Sequence, residues 1–380
     1  MTRIFFLLSL VSGALFYRYP AVGYDAPPDI SVQCTDFLSS ADYQTLRDED
    51  GPVFYDRGKR VPLDPDRLYF VPPEGNGYFE YQKIGKEIAY YAHPDELYWK
   101  RESASYPVSD PRGKWILLLS GDLTAVRLMD HNGNAAPGLP LSGVLMTDYA
   151  FSDTGQSDES KNSDRAAGST AAVLFSSGPV YIVRFEPDFR IFTLTIPDAE
   201  RSFAKSVAIG GDRIAIHLQQ DDRDFIREYR LDEEKERLKE IESVRLPFVV
   251  LHRMPMALTE SGVLFATGRF AGQIEDGEIS WMGNGDGTTA FHADTSRADT
   301  SGADIPGVEF QGDALATGGF AIAGGERFLY LLVRNDDREE KPVAATLRPG
   351  SPYRLLRHKG GISIEDSNGY CTMRPSASRK

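Results

Sequence analysis

The stretch Ser206-Val-Ala-Ile-Gly-Gly-Asp-Arg-Ile-Ala-Ile-His-Leu218 decides the fold. Val207 to Ile209 are apolar, Gly210-Gly-Asp212 turns the chain, and Ile214, Ile216 and Leu218 alternate on the return. Period-two alternation marks a strand with one face on a core, and a Gly/Asp cluster between two such runs marks a hairpin turn. A second hairpin follows within the same unit. Glu228-Tyr-Arg-Leu-Asp232 leads into the polar Glu233-Glu-Lys-Glu236, and Arg237-Leu-Lys-Glu-Ile241 leads back. The charged run 232–242 also suits a solvated helix with ion pairs four residues apart. A polar centre flanked by apolar residues on both sides favours the hairpin.

Working outward, the same events recur. Trp115 to Leu119, Gly121-Asp122 and Thr124 to Met129 form one copy; Ala171 to Phe175, Ser177-Gly178 and Val180 to Phe185 form another. Met256 to Leu258 with Val263 to Thr267, and Ala314 to Ala316 with Phe320 to Ala323, repeat it. Four strand-length runs also lie between Arg67 and Lys100. Polar hairpin centres near Asn76, Asn132, Asp188, Glu234, Gly277 and Asp336 recur about every 50 residues, the spacing of propeller blades. The expected fold is all-β: an irregular β-propeller of about six or seven four-stranded blades.

Ser120-Gly-Asp122, Gly210-Gly-Asp212 and Ser261-Gly-Val263, each leading into an alternating strand, resemble the inner-strand turns of degenerate WD40/YVTN-like propellers. The resemblance covers roughly residues 60 to 370 and implies the fold alone. No Gly-His…Trp-Asp pair is present, and no active site carries over.

The organisation expected is a signal peptide at 1–23, a segment 24–60 contributing to the closing blade, a propeller over 61–375, and a disordered tail at 376–380. Arg3 and the 13-residue apolar run Ile4 to Phe16 precede Ala21-Val-Gly23, small residues at the −3 and −1 positions of a cleavage site. The alternative, a signal anchor, needs a longer run, because 13 helical residues span about 20 Å of a roughly 30 Å hydrocarbon core. A periplasmic or secreted location follows, with no membrane insertion after cleavage. Inserts are expected near 152–170, rich in Asp, Ser and Gly, and near 292–304, where Ala-Asp-Thr-Ser occurs twice.

Composition narrows the function. With 42 Lys and Arg against 56 Asp and Glu, the chain carries −14, which argues against nucleic acid or an anionic membrane surface and suits a basic protein partner. The six histidines form no local metal pair, and there is no Gly-x-Ser-x-Gly elbow or Walker loop. Asp130-His-Asn-Gly-Asn134, Asn284-Gly-Asp-Gly287 and Asp153-Thr-Gly155 are weighed as cation loops, but each is short of the oxygens calcium needs and reads as an Asx-type turn. No metal or cofactor is expected. Asp122 and Asp212, on what read as equivalent turns, are the candidate channel-face acids. They would serve a polysaccharide hydrolase or lyase, the alternative to a non-enzymatic propeller that binds a protein, such as an immunity or inhibitor protein. Catalytic residues are not assignable.

Cys34 and Cys371 are the only two cysteines. They lie beside the strand-like Ile30-Ser-Val-Gln-Cys34 and Tyr370-Cys-Thr-Met373. A propeller must join its first and last blades or leave two unpaired edges. The expectation is that the terminal strands lie side by side and that the two cysteines form a disulfide in an oxidising compartment.

Overall fold

The computed structural model describes residues 30–35, 44–47 and 51–375, except 73–74, 83–84, 153–168, 177, 187, 197–200, 252, 260, 268–270, 283–312, 317–319, 325–328, 334–342, 348–353, 359–360 and 366–369. The expected signal segment, the tail, the insert at 292–304 and nearly all of that at 152–170 lie outside the described residues.

The chain is a β-propeller. Eight antiparallel sheets follow one another along the described chain. Sheet 1 has three strands, at Gln44–Arg47, Val53–Asp56 and Lys59–Pro62. Sheets 2 to 7 each take four consecutive strands, within 68–102, 105–142, 146–195, 202–245, 256–282 and 313–347. Sheet 8 takes Arg354–His358, Gly361–Glu365 and Tyr370–Pro375, and its fourth strand comes from the other end of the chain: Ile30–Thr35 pairs antiparallel with Tyr370–Pro375. The ring therefore closes as expected through its first and last described strands, but of the segment 24–60 only Ile30–Thr35 enters the closing sheet, because Gln44–Arg47 and Val53–Asp56 pair with each other and with Lys59–Pro62 instead.

Within each four-stranded sheet the strands meander. The first strand packs on the first strand of the preceding sheet, as Ser202–Gly210 does on Met146–Ser152 and Met256–Leu258 does on Ser202–Gly210. First strands thus line the axis and fourth strands lie outermost. The burial pattern follows. The second strand of sheet 4, Thr170–Phe175, is buried throughout, whereas the outer strand of sheet 5, Arg237–Arg245, buries only Val244.

The cores are wedges between successive sheets. Ile182, Phe192 and Leu194 of sheet 4 meet Val207, Ile216 and Tyr229 of sheet 5. Ala215, Ile226 and Val244 of sheet 5 meet Val263, Phe265 and Ile274 of sheet 6. Sheet 1 joins the series through Phe54, whose ring lies 4.9 Å from that of Tyr78 in sheet 2. Burying each such large side chain contributes about 1.5–3 kcal/mol.

The stretch 232–242 is a hairpin, with strands Arg223–Asp232 and Arg237–Arg245. Two-residue turns carry left-handed φ where twist demands it: Asp221 and Asp222 at 48° and 60°, Asp276 and Gly277 at 50° and 82°.

The repeat was legible, but its register was not uniform. Ser206–Leu218 falls on the first and second strands of its sheet, whereas Trp115–Met129 falls on the second and third of its own. Any antiparallel hairpin shows the same alternation around a polar turn, so the pattern marks hairpins without numbering them.

Candidate functional site

Topology gives the ring two unlike ends. Turns joining first to second and third to fourth strands project at one end. Turns joining second to third strands, and the connections between sheets, project at the other.

The first end is acidic over sheets 5 and 6. It carries Asp212, the turn Glu233-Glu-Lys-Glu236 and the turn between Glu275 and Glu278. Behind these turns Glu228 and Glu242 stand directly opposite each other on adjacent strands. Like charges at paired positions repel. Arg213 relieves half of this. Its guanidinium grips Glu228 at 2.5 and 2.9 Å and donates to the Thr259 carbonyl at 2.8 Å. Glu242 keeps a surplus: partial burial pushes its carboxyl above the usual range, Glu228 and Asp276 push it further, and the Gly277 amide and Arg213 only partly offset them. This position favours a cation approaching from outside.

The other end is locked by a buried polar network under the connection from sheet 5 to sheet 6. Lys205 occupies a bulge in Ser202–Gly210 and reaches both carboxylate oxygens of Asp224, at 2.9 and 3.1 Å, and the Val250 carbonyl at 2.5 Å. Asp224 also accepts the Val250 N–H at 2.7 Å and contacts His217 Nε2 at 2.8 Å. Burial works against the Asp224 carboxylate, but His217, the Val250 amide and Lys205 outweigh it and hold the carboxyl below its ordinary range. Burial lowers the His217 pKa and keeps the ring neutral, despite Asp224. Alongside, Asp148 accepts from Arg253 Nε at 2.5 Å and from the Val207 N–H at 2.9 Å; burial pushes its carboxyl up. Met254 N–H donates to Ser206 at 2.7 Å.

The pairing of His217 with Asp224 has the form of a base and its orienter. His217 and Asp224 are 0% exposed, and His217 Nδ1 has no hydrogen-bond partner among the described residues, so none of these supplies a nucleophile to complete a triad. The network ties residues 246–254 to the sheets beneath. Sequence flagged His217 as a strand residue. The contributions of Lys205, Asp224 and Arg253 depend on a bulge and on contacts across sheets that spacing does not encode.

Asp122 and Asp212 do not converge. Asp122 sits between the second and third strands of sheet 3, and Asp212 between the first and second of sheet 5, at opposite ends of the ring. The expectation of equivalent turns is corrected by the register difference described above. Asp122 accepts the Ser120 hydroxyl at 2.7 Å and the Thr124 hydroxyl and N–H at 2.8 and 3.1 Å, which hold its carboxyl low. Asp212 lies 3.4 Å from Arg230. Asp130 closes an Asx-type turn, its Oδ1 accepting the Asn132 and Asn134 amides at 2.9 and 2.8 Å. The other two candidate cation loops lie outside the described residues. No group of three or more metal-ligating side chains occurs among the described residues.

Cys34 and Cys371 are direct partners in the closing strand pair. No helix among the described residues is long and apolar enough to cross a membrane.

No family model matches the chain, and no curated protein does. Solved structures with a similar course include the Nup133 β-propeller domain of Vanderwaltozyma polyspora, at 8% identity and TM-score 0.48, covering 93% of this chain and 99% of that one. The WD40 domain of SCAP from fission yeast is similar at 11% identity and TM-score 0.47, covering 93% of each chain. Kuenenia stuttgartiensis hydrazine synthase is similar at 13% identity and TM-score 0.45, covering 85% of this chain and 99% of that one. The strand order, independently of these likenesses, defines the propeller.

Proposed function

We propose that this protein is an exported, non-enzymatic β-propeller that binds a basic protein partner at the acidic end of sheets 5 and 6, in the manner of an immunity or inhibitor protein. One observation carries the reading: Glu242 faces Glu228 across a strand pair, and Arg213 serves only the latter closely. A Lys or Arg from a partner would relieve the repulsion, and the surrounding Asp and Glu turns would speed its approach. Short turns on a closed ring give such a surface a fixed shape before it meets its partner.

Export rests on the apolar run and small-residue site at 1–23, and it places the protein in the periplasm or outside the cell. A disulfide between Cys34 and Cys371 belongs to the same reading. Paired antiparallel positions hold Cα atoms about 4.5–5.5 Å apart, inside the range a disulfide spans, and no described cysteine is free.

Affinity capture from the native envelope tests the partner. The wild-type chain is expected to retain a basic protein at low salt and release it as salt rises. Glu242→Lys, combined with Glu233→Lys, is expected to lose it. Capture of no basic protein, or equal capture by the charge-reversed chain, overturns the reading.

A further inference from the structure

A cleft of about 490 Å³ opens between sheets 2 and 3, at the end of the ring opposite the acidic turns. Its volume falls within the range of small-molecule sites. Lys86 reaches it from the turn before Glu87–His93, and Arg127 from the third strand of sheet 3, Ala125–Asp130. Ser103 and Ser105, on the link between the sheets, supply hydroxyls, while Leu118 and Pro140 supply apolar wall.

The cleft exists because the fourth strand of sheet 3 is only Leu141–Ser142 and pairs with Ala125 and Val126 alone. The flank of Arg127 is therefore left without a strand partner. Ser120 forms another wall, and Asp122 fixes it through the 2.7 Å hydrogen bond. Asp122 thus acts as a positioning residue here.

The charges are the telling feature. In a chain of −14, the two long cationic side chains at this cleft have no carboxylate within ion-pair distance among the described residues. Lys100, on the neighbouring outer strand of sheet 2, is by contrast paired with Glu87. Glu102 is the one acid on the lining. A guanidinium and an ammonium beside hydroxyls and an apolar wall match an oxyanion attached to a hydroxylated ring.

We propose that this cleft binds a small organic anion of monosaccharide size, a sugar acid or a sugar phosphate. The oxyanion would lie between Arg127 and Lys86, ring hydroxyls on Ser103 and Ser105, and the apolar ring face against Leu118 and Pro140. The proposal does not depend on the protein partner, whose surface lies at the other end.

Calorimetric titration of the full chain with glucuronate, glucose 6-phosphate and glucose tests it. Saturable binding of at least one acid, and none of glucose, is expected. A preference for glucuronate assigns a carboxylate, and one for glucose 6-phosphate a phosphate. Arg127→Gln and Lys86→Gln, both at exposed positions, should each weaken binding by about tenfold or more, with unchanged melting temperature. Glu102→Gln should tighten it. Failure of both acids to bind, equal binding of glucose, or undiminished binding by Arg127→Gln and Lys86→Gln overturns the proposal.

Discussion

Asp224 shows how one buried carboxylate is kept charged. It is 0% exposed yet meets an ammonium, an imidazole and a backbone amide. Asp224→Asn would leave the Lys205 charge uncompensated, and a loss of about 3–5 kcal/mol is expected in urea unfolding. The pH dependence has two parts. His217 is held neutral, its pKa depressed from 6.5, so only the unfolded chain gains that proton as pH falls below about 6.5. Stability should decline on this slope first, and His217→Gln should flatten it. Asp224, with its own pKa lowered, contributes fully above the unfolded value of about 3.9 and loses that contribution at lower pH. Glu242 runs the other way. Its raised pKa means the native state gives up its proton reluctantly, so its penalty appears as pH rises through the unfolded value. Glu242→Gln should stabilise the protein at pH 7 by a few tenths of a kcal/mol, about what a half-exposed charge is worth, and leave it unchanged near pH 3.5. Urea midpoints at the two pH values decide this.

Single hairpins explain which elements could be read ahead of the structure. Ser206–Leu218 announces itself because alternation and a glycine turn are local properties. The blade to which a hairpin contributes its first strand is not local, and this is why Asp122 and Asp212 read alike but lie at opposite ends. Glu228 and Glu242 escaped notice for a related reason: their pairing includes a bulge beside Tyr229, which residue counting from the turn misses. Turns of one kind still differ in how tightly they are packed, as two glycines between first and second strands show. A Cβ on Gly262 would run into the Ile274 carbonyl oxygen, whereas one on Gly211 would meet nothing within 4 Å and bear only the strain of φ 63°. Gly211→Ala should cost about 1–2 kcal/mol. Gly262→Ala should cost more, because a main-chain oxygen has to move. Paired denaturation curves would show the order, and an equal cost would contradict the packing at Gly262.

For the whole molecule, closure is the distinguishing interaction, since the pairing of Ile30–Thr35 with Tyr370–Pro375 joins the two ends of the described chain. A bond between Cys34 and Cys371 would restrain almost the entire unfolded chain, worth on the order of 5 kcal/mol as an upper value in the chain-entropy picture. Cys34→Ser and Cys371→Ser should lower the melting temperature equally, and the double variant hardly further, because each removes the same link. Two thiols titrating in the unfolded, unreduced protein would contradict the bond. Overall charge and ring closure were legible in the composition and the terminal strands. The unlike ends of the ring were not, because they emerge only when eight sheets are set side by side.

The pairing of the first described strand with the last also sets a timetable. A ribosome completes Ile30–Thr35 early and Tyr370–Pro375 late, so the former waits with an open edge while every intervening sheet is made. Until then the ring has a gap. The ring thus acquires its final shape only when that last strand arrives.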